Sequence, residues 1–225
     1  MDYSKNKEVL RGHYTRNGII NLFEQDNKYL EDAFNEITGI WFNNFDQISE
    51  VKYLMIAEAP LWSKLKSYIY NPNTPSTQFF YKSDLEYILN TQIKDKAEFI
   101  RVCNEIGLLI IDISPFALNS EDTIINYRNR SKNNPYGLTK ELYRGLAELT
   151  IPFFFEKKIK AIVLKMSSDI KVFFRYTRVK RRFQDLISDV FITNGLIKSE
   201  NEILDISKRG GGIDKSKFEI ILLSR

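Results

Sequence analysis

A chain of 225 residues with 43% hydrophobic content can bury a core, and a single domain over residues 1–225 is the default expectation. One cysteine, Cys103, and one histidine, His13, exclude an internal disulfide framework and any metal centre built from several thiolates or imidazoles. The net charge of +4 is mild, so it permits an anionic partner without demanding one.

The opening residues Met-Asp-Tyr-Ser-Lys-Asn-Lys hold no apolar signal stretch, and no later run approaches the roughly 20 apolar residues that cross a bilayer. A soluble cytoplasmic protein without a membrane partner is expected. His13, beside Arg11 and Tyr14, reads as structural or exposed. The first strand is predicted over 51–57 and runs into Ala57-Glu58-Ala59-Pro60, which sets a carboxylate where the strand should break. Glu58 is then either part of a solvated turn or a group facing a cleft. A Pro/Asn/Thr-rich loop at 71–77 follows, leading into Phe79, Phe80 and Tyr81. Such aromatics are either core or a stacking surface for a planar ligand. A helical pattern covers 83–104, and Cys103 inside it reads as a small core residue, because no histidine stands nearby in sequence to activate it.

The second strand, predicted over 107–113, carries Asp112 within an otherwise apolar run, where an unpaired charge is expensive. Alone, it caps a loop or pairs with a base more often than it performs chemistry. A polar loop at 119–136, a helix over 138–149 and a third strand over 161–166 come next. Residues 167–189 read as one helix with Ser167 or Ser168 as N-cap. Val172, Tyr176, Val179, Phe183 and Leu186 form its core-facing stripe. Lys171, Arg175, Arg178 and Arg182 repeat one position earlier, about 100° around the helix. Residues 171–182 hold six basic side chains and no acidic one, and like charges at these spacings repel. That face is either merely solvated or a surface for phosphates, and DNA contact is the expectation. Residues 194–217, with Gly210-Gly211-Gly212, receive no element. The glycines lack the Gly-Lys-Ser/Thr continuation of a nucleotide-binding loop, so a flexible turn is expected. A last strand is predicted over 218–223. The alternation defines an α/β fold with a mostly parallel central sheet flanked by helices. In such sheets ligands gather beyond the carboxyl ends of the strands, near which Glu58, Asp112 and residues 165–168 stand.

Taken in order, Ala57-Glu58-Ala59-Pro60-Leu61-Trp62, the aromatics Phe79 and Phe80, and Gly107-Leu-Leu-Ile-Ile-Asp112 resemble the uracil-DNA glycosylase superfamily. The resemblance covers residues 51–115, with a looser continuation through 161–168. It implies that Glu58 is the catalytic acid that handles water, that Phe79 or Phe80 stacks on an extruded base, and that Asp112 reads the base edge. Three departures stand out. Ala57 replaces the usual glycine, and Ala59 replaces the catalytic aspartate of one branch. The family's second-motif histidine has no counterpart after His13, leaving Asn194 and Ser224 as candidate replacements.

The resemblance has chemical consequences. Glycosidic cleavage builds positive charge on the deoxyribose, which an ionised Glu58 stabilises while it orients the attacking water. The target base must first leave the stack. Uracil-specific members use an asparagine where Asp112 stands, and a carboxylate instead accepts from the N4 amino group of cytosine. A shared proton between Asp112 and N3 would complete that pairing. Leu61 occupies the position of a tyrosine that crowds C5 in uracil-specific members, which leaves room for a C5 substituent. The implied function is a DNA glycosylase acting on hydroxymethylated or glucosylated cytosine, as in phage DNA, and so an antiviral defence. The alternatives are a uracil or mismatch repair glycosylase, an inert DNA-binding module of the same fold, and a hydrolase of free nucleosides. No cofactor, no metal and no obligate protein partner is expected; the expected partner is DNA.

Overall fold

The first two strands form as their apolar runs dictate, and the later part of the chain departs from expectation. A computed structural model describes residues 1–62, 66, 68–74, 82–118, 139–208 and 213–223. Eight helices lie in these residues: α1 (Ser4–Arg16), α2 (Phe23–Gln47), α3 (Lys82–Leu89), α4 (Lys96–Ile106), α5 (Lys140–Thr150), α6 (Phe155–Val163), α7 (Thr177–Thr193) and α8 (Lys215–Leu223). The strands are β1 (Val51–Ala57), β2 (Leu108–Asp112), β3 (Met166–Phe174) and β4 (Ile203–Leu204), in the order β2-β1-β3-β4 with every neighbour parallel. The fold is therefore α/β with a parallel sheet flanked by helices.

β2 is buried along its whole length, as an apolar strand covered by helices should be. The long helix α2 presents Phe23, Leu30, Phe34, Ile37, Trp41 and Phe45 to the core at steps of three, four and seven. The Trp41 indole N–H reaches the sheet and donates to the Ile110 carbonyl at 2.8 Å. α4 starts at Asp95, whose side chain accepts from Glu98 N–H at 2.8 Å, and it ends at Gly107. Gly107 has φ +78°, and a Cβ there would stand 2.5 Å from the Glu50 carbonyl oxygen, so only glycine fits this junction into β2.

Four expectations are corrected. The helix read over 167–189 is the strand β3 followed by the helix α7. Val172, Phe173 and Phe174 are buried in the sheet beside β1, and the three-and-four recurrence ran by coincidence across a strand–helix junction. The strand read over 161–166 is the tail of α6 and the turn into β3, and the strand read over 218–223 is α8. Short apolar runs do not distinguish a buried strand from a buried helix turn. The fourth strand instead lies in the excursion that received no element. Finally, the helix read over 83–104 is broken into α3 and α4, with Asn90 at φ +48° between them.

Candidate active site

The chain leaves β1 for β2 on one side and then crosses back to β3 on the other, so the order of strands reverses between β1 and β3. Crevices beyond the carboxyl ends of strands at such a reversal are where α/β sheets bind ligands. Glu58 follows β1, Asp112 closes β2 opposite Ala57, and Arg175 follows β3. Backbone bonds continue past the strands and fix these positions. Ile113 N–H donates to the Ala57 carbonyl at 3.1 Å, Ser114 N–H to Glu58 at 3.0 Å, Leu118 N–H to Pro60 at 3.0 Å, and Arg175 N–H to Ile56 at 2.8 Å.

The two carboxyl groups have different surroundings. Glu58 is 3% exposed, and its Oε1 accepts from Arg182 Nη1 of α7 at 2.7 Å. A guanidinium this close compensates a buried charge that would otherwise be costly. Asp112 is 2% exposed, and its Oδ2 accepts from the Tyr70 hydroxyl at 2.5 Å. Burial raises the Asp112 carboxyl above its ordinary value, opposed by the Lys158 charge, the Tyr70 hydrogen bond and the Arg175 charge. Burial also pushes the Tyr70 phenol well up, and the neighbouring Asp112 adds to that.

Tyr70 belongs to an aromatic wall beside the site. Its ring meets Tyr68 edge-on at 5.2 Å, Tyr68 stacks with Trp62 at 6.3 Å, and Lys66 Nζ lies 4.4 Å from the Trp62 ring centre. Leu61 is half-buried against the core next to Trp62. Phe79 and Phe80 lie outside the described residues, as do Ser224 and Gly210-Gly211-Gly212.

The basic residues do not form the single helix face expected of them. Lys171 is half-buried in β3 and lines a cavity of about 340 Å³ with Ser168, Asp169 and Lys198, among others. This cavity adjoins the C-terminal end of α7, the end away from Glu58. Arg175 and Arg178 flank Tyr176, with guanidinium carbons 5.0 Å and 4.9 Å from its ring centre. Arg178 is exposed on the first turn of α7, whereas Arg182 points inward to Glu58. That first turn holds no acidic residue, contrary to what the positive end of a helix dipole favours. Asn194, a candidate for the missing histidine, caps the other end of α7 by donating to the Val190 carbonyl at 2.8 Å.

Three buried groups near the sheet escaped the sequence reading. Tyr70 opened a loop read only for its turn formers. Lys158 is wholly buried on α6, on the same stripe as Phe155, Ile159 and Ile162; a lysine on an apolar stripe was the available signal. Burial lowers its amine to about 7, partly offset by Asp112. Lys96, 2% exposed at the start of α4, is lowered to about 8 by burial, with Cys103 opposing and Arg175 adding to the shift. Cys103 is buried, as expected, and burial pushes its thiol up to about 12. His13 is also buried, with its imidazole lowered by burial and by Arg16.

No group of three or more His, Cys, Asp or Glu side chains able to hold a metal ion occurs among the described residues, and none of their helices is long and apolar enough to cross a membrane. No family model, curated protein or solved structure matches the chain.

Proposed function

We propose that this protein is a DNA glycosylase that extrudes a modified base, a 5-substituted cytosine, and hydrolyses its N-glycosidic bond to leave an abasic site. The observation that carries the reading is that Glu58 and Asp112, two buried carboxyl groups, stand at the carboxyl ends of adjacent parallel strands, Asp112 in register with Ala57 just before Glu58. One of them sits beside a cation and the other beside a phenol, so their environments differ in the way a divided task requires. In this mechanism Glu58 stabilises the positive charge that grows on the deoxyribose and orients water for attack. Asp112 accepts from the cytosine N4 amino group. The exposed Arg178, with Arg175 beside it, meets the phosphate backbone. The similarity of residues 51–115 to the uracil-DNA glycosylase superfamily supports the same assignment.

The test is mass analysis of small molecules freed from DNAs of defined base content. The expected result is release of the modified base from hydroxymethyl- or glucosyl-cytosine DNA, with unmodified DNA silent, and loss of release in Glu58→Ala. Asp112→Asn should shift release toward uracil. A second reading is favoured by the Arg182–Glu58 ion pair, which gives Glu58 a purely structural task. On that reading the protein is an inert DNA-binding module: it binds DNA, leaves no alkali-sensitive sites, and binds equally well as Glu58→Ala.

A further inference from the structure

Tyr70 is a buried phenol to which the proposed chemistry gives no task. It stands on the segment after β1, where its own carbonyl accepts from the Asn44 side-chain amide of α2 at 2.9 Å and the Tyr68 ring closes on it edge-on. Among the described residues its hydroxyl makes one hydrogen bond, to Asp112 Oδ2 at 2.5 Å. Burial keeps the phenol protonated, so it remains a donor. The length is typical of an O–H group meeting an ionised oxygen. Burial nevertheless raises the Asp112 carboxyl, which favours its acid form. Asp112 is thus enclosed as an acid, while its neighbour already stands at the distance that a carboxylate takes. The charged groups that act on Asp112 are Lys158 of α6 and Arg175 after β3, and both favour the carboxylate as well.

We infer that Asp112 is the general acid that protonates the departing cytosine-type base at N3, and that Tyr70 is a positioning residue whose hydroxyl stabilises the carboxylate left behind. This rests on the glycosylase reading of Asp112. Cleavage sends the electron pair of the bond between the sugar and N1 onto the base. As it does so, the carboxyl O–H bond of Asp112 breaks and an N3–H bond forms, so the base leaves neutral and the negative charge stays on Asp112. Water adds to the sugar and loses a proton to solvent, and Asp112 takes a proton back from solvent before the next turnover. A hydrogen bond to a charged oxygen is roughly twice as strong as one to a neutral oxygen. The Tyr70 contact therefore strengthens as the proton moves, and only interactions that strengthen in the transition state accelerate a step. The donor is in place beforehand, so no reorganisation opposes the transfer.

The experiment measures base release from hydroxymethyl-cytosine DNA across a pH series, with the Asp112 carboxyl of the free protein followed by NMR and assigned through Asp112→Asn. In wild type, release should decline as pH rises through the folded value of Asp112, because the acid form is lost. In Tyr70→Phe the carboxylate loses a donor. The decline and the NMR titration should then both move up by about one pH unit, a tenfold gain in proton affinity, while kcat below the decline falls about fivefold and KM for DNA holds. Because Tyr70→Phe alone is open to a folding defect, a second variant carries 3-fluorotyrosine at position 70. Its more acidic phenol is a stronger donor, so both should move to lower pH. Lys158 and Arg175 stay in place in both variants. Movement in opposite directions upholds the inference. A decline that stays fixed in both variants of an enzyme that frees base overturns the acid role alone. Titrations that move in a protein that frees no base from any DNA remove the glycosylase reading, and the acid role with it.

Discussion

At the scale of single residues, Glu58 and Arg182 form the pair on which the site depends most. Glu58 is almost wholly enclosed and Arg182 largely so, with side-chain exposures of 2% and 17%. Removing one partner takes this contact away from the other buried charge, at a cost on the order of 3 kcal/mol by the behaviour of buried pairs. Arg182→Met and Glu58→Gln are each expected to lower the urea midpoint by that order, and the double variant by less than either loss added to the other. Equal and additive losses would mean that the pair has no coupling. The same scale explains part of what the sequence could reveal. The places of Glu58 and Asp112 at strand ends were legible because one carboxyl follows an apolar run and the other closes one. Arg182 as the partner of Glu58 was not, because the contact joins residues 124 apart in the chain.

At the scale of elements, β3 and α7 divide the basic run between two environments. Lys171 lies in the sheet, half-buried at a cavity remote from Glu58, while Arg175 and Arg178 bracket Tyr176 beyond the strand end. Charge reversal at Arg178 should therefore flatten the dependence of DNA affinity on salt by about one counterion, whereas Lys171→Glu should leave that slope unchanged. Equal effects at the two positions would restore the single basic face. β1, β2 and α5 were readable since each combines a full apolar run or stripe with a clear stop, such as Gly107 before β2. The junction at residues 175–176 was not. Val172, Tyr176, Val179 and Phe183 keep helical spacing across it although the first belongs to a strand, and no glycine or proline marks the change. β4 spans only two residues, too short for any alternation to register.

At the scale of the whole molecule, Asp112 and Lys158 make stability depend on pH in opposite senses. The Asp112 carboxyl is raised in the fold, so between its unfolded value near 3.8 and its higher folded value the native state holds more protons, and stability falls as pH rises. The Lys158 amine is lowered from 10.5 to about 7, so between those values the unfolded chain holds more protons, and stability climbs with pH. Denaturant titrations across a pH series should show both trends. Asp112→Asn should remove the acidic decline, and Lys158→Met should weaken the alkaline climb. A profile with the same slopes in all three proteins would contradict the burial of both groups.

The enclosed thiol of Cys103 has a practical corollary for watching such a protein at work. With the chain's one sulfhydryl sequestered and its thiolate suppressed far into alkaline pH, maleimide reagents should leave the native fold unlabelled at neutral pH, as intact-mass spectrometry would reveal. A cysteine installed at exposed Ser168, at the opposite end of β3 from Arg175, would then accept a fluorophore cleanly, giving a single-colour reporter of encounters with nucleic acid that leaves the native sulfur in place.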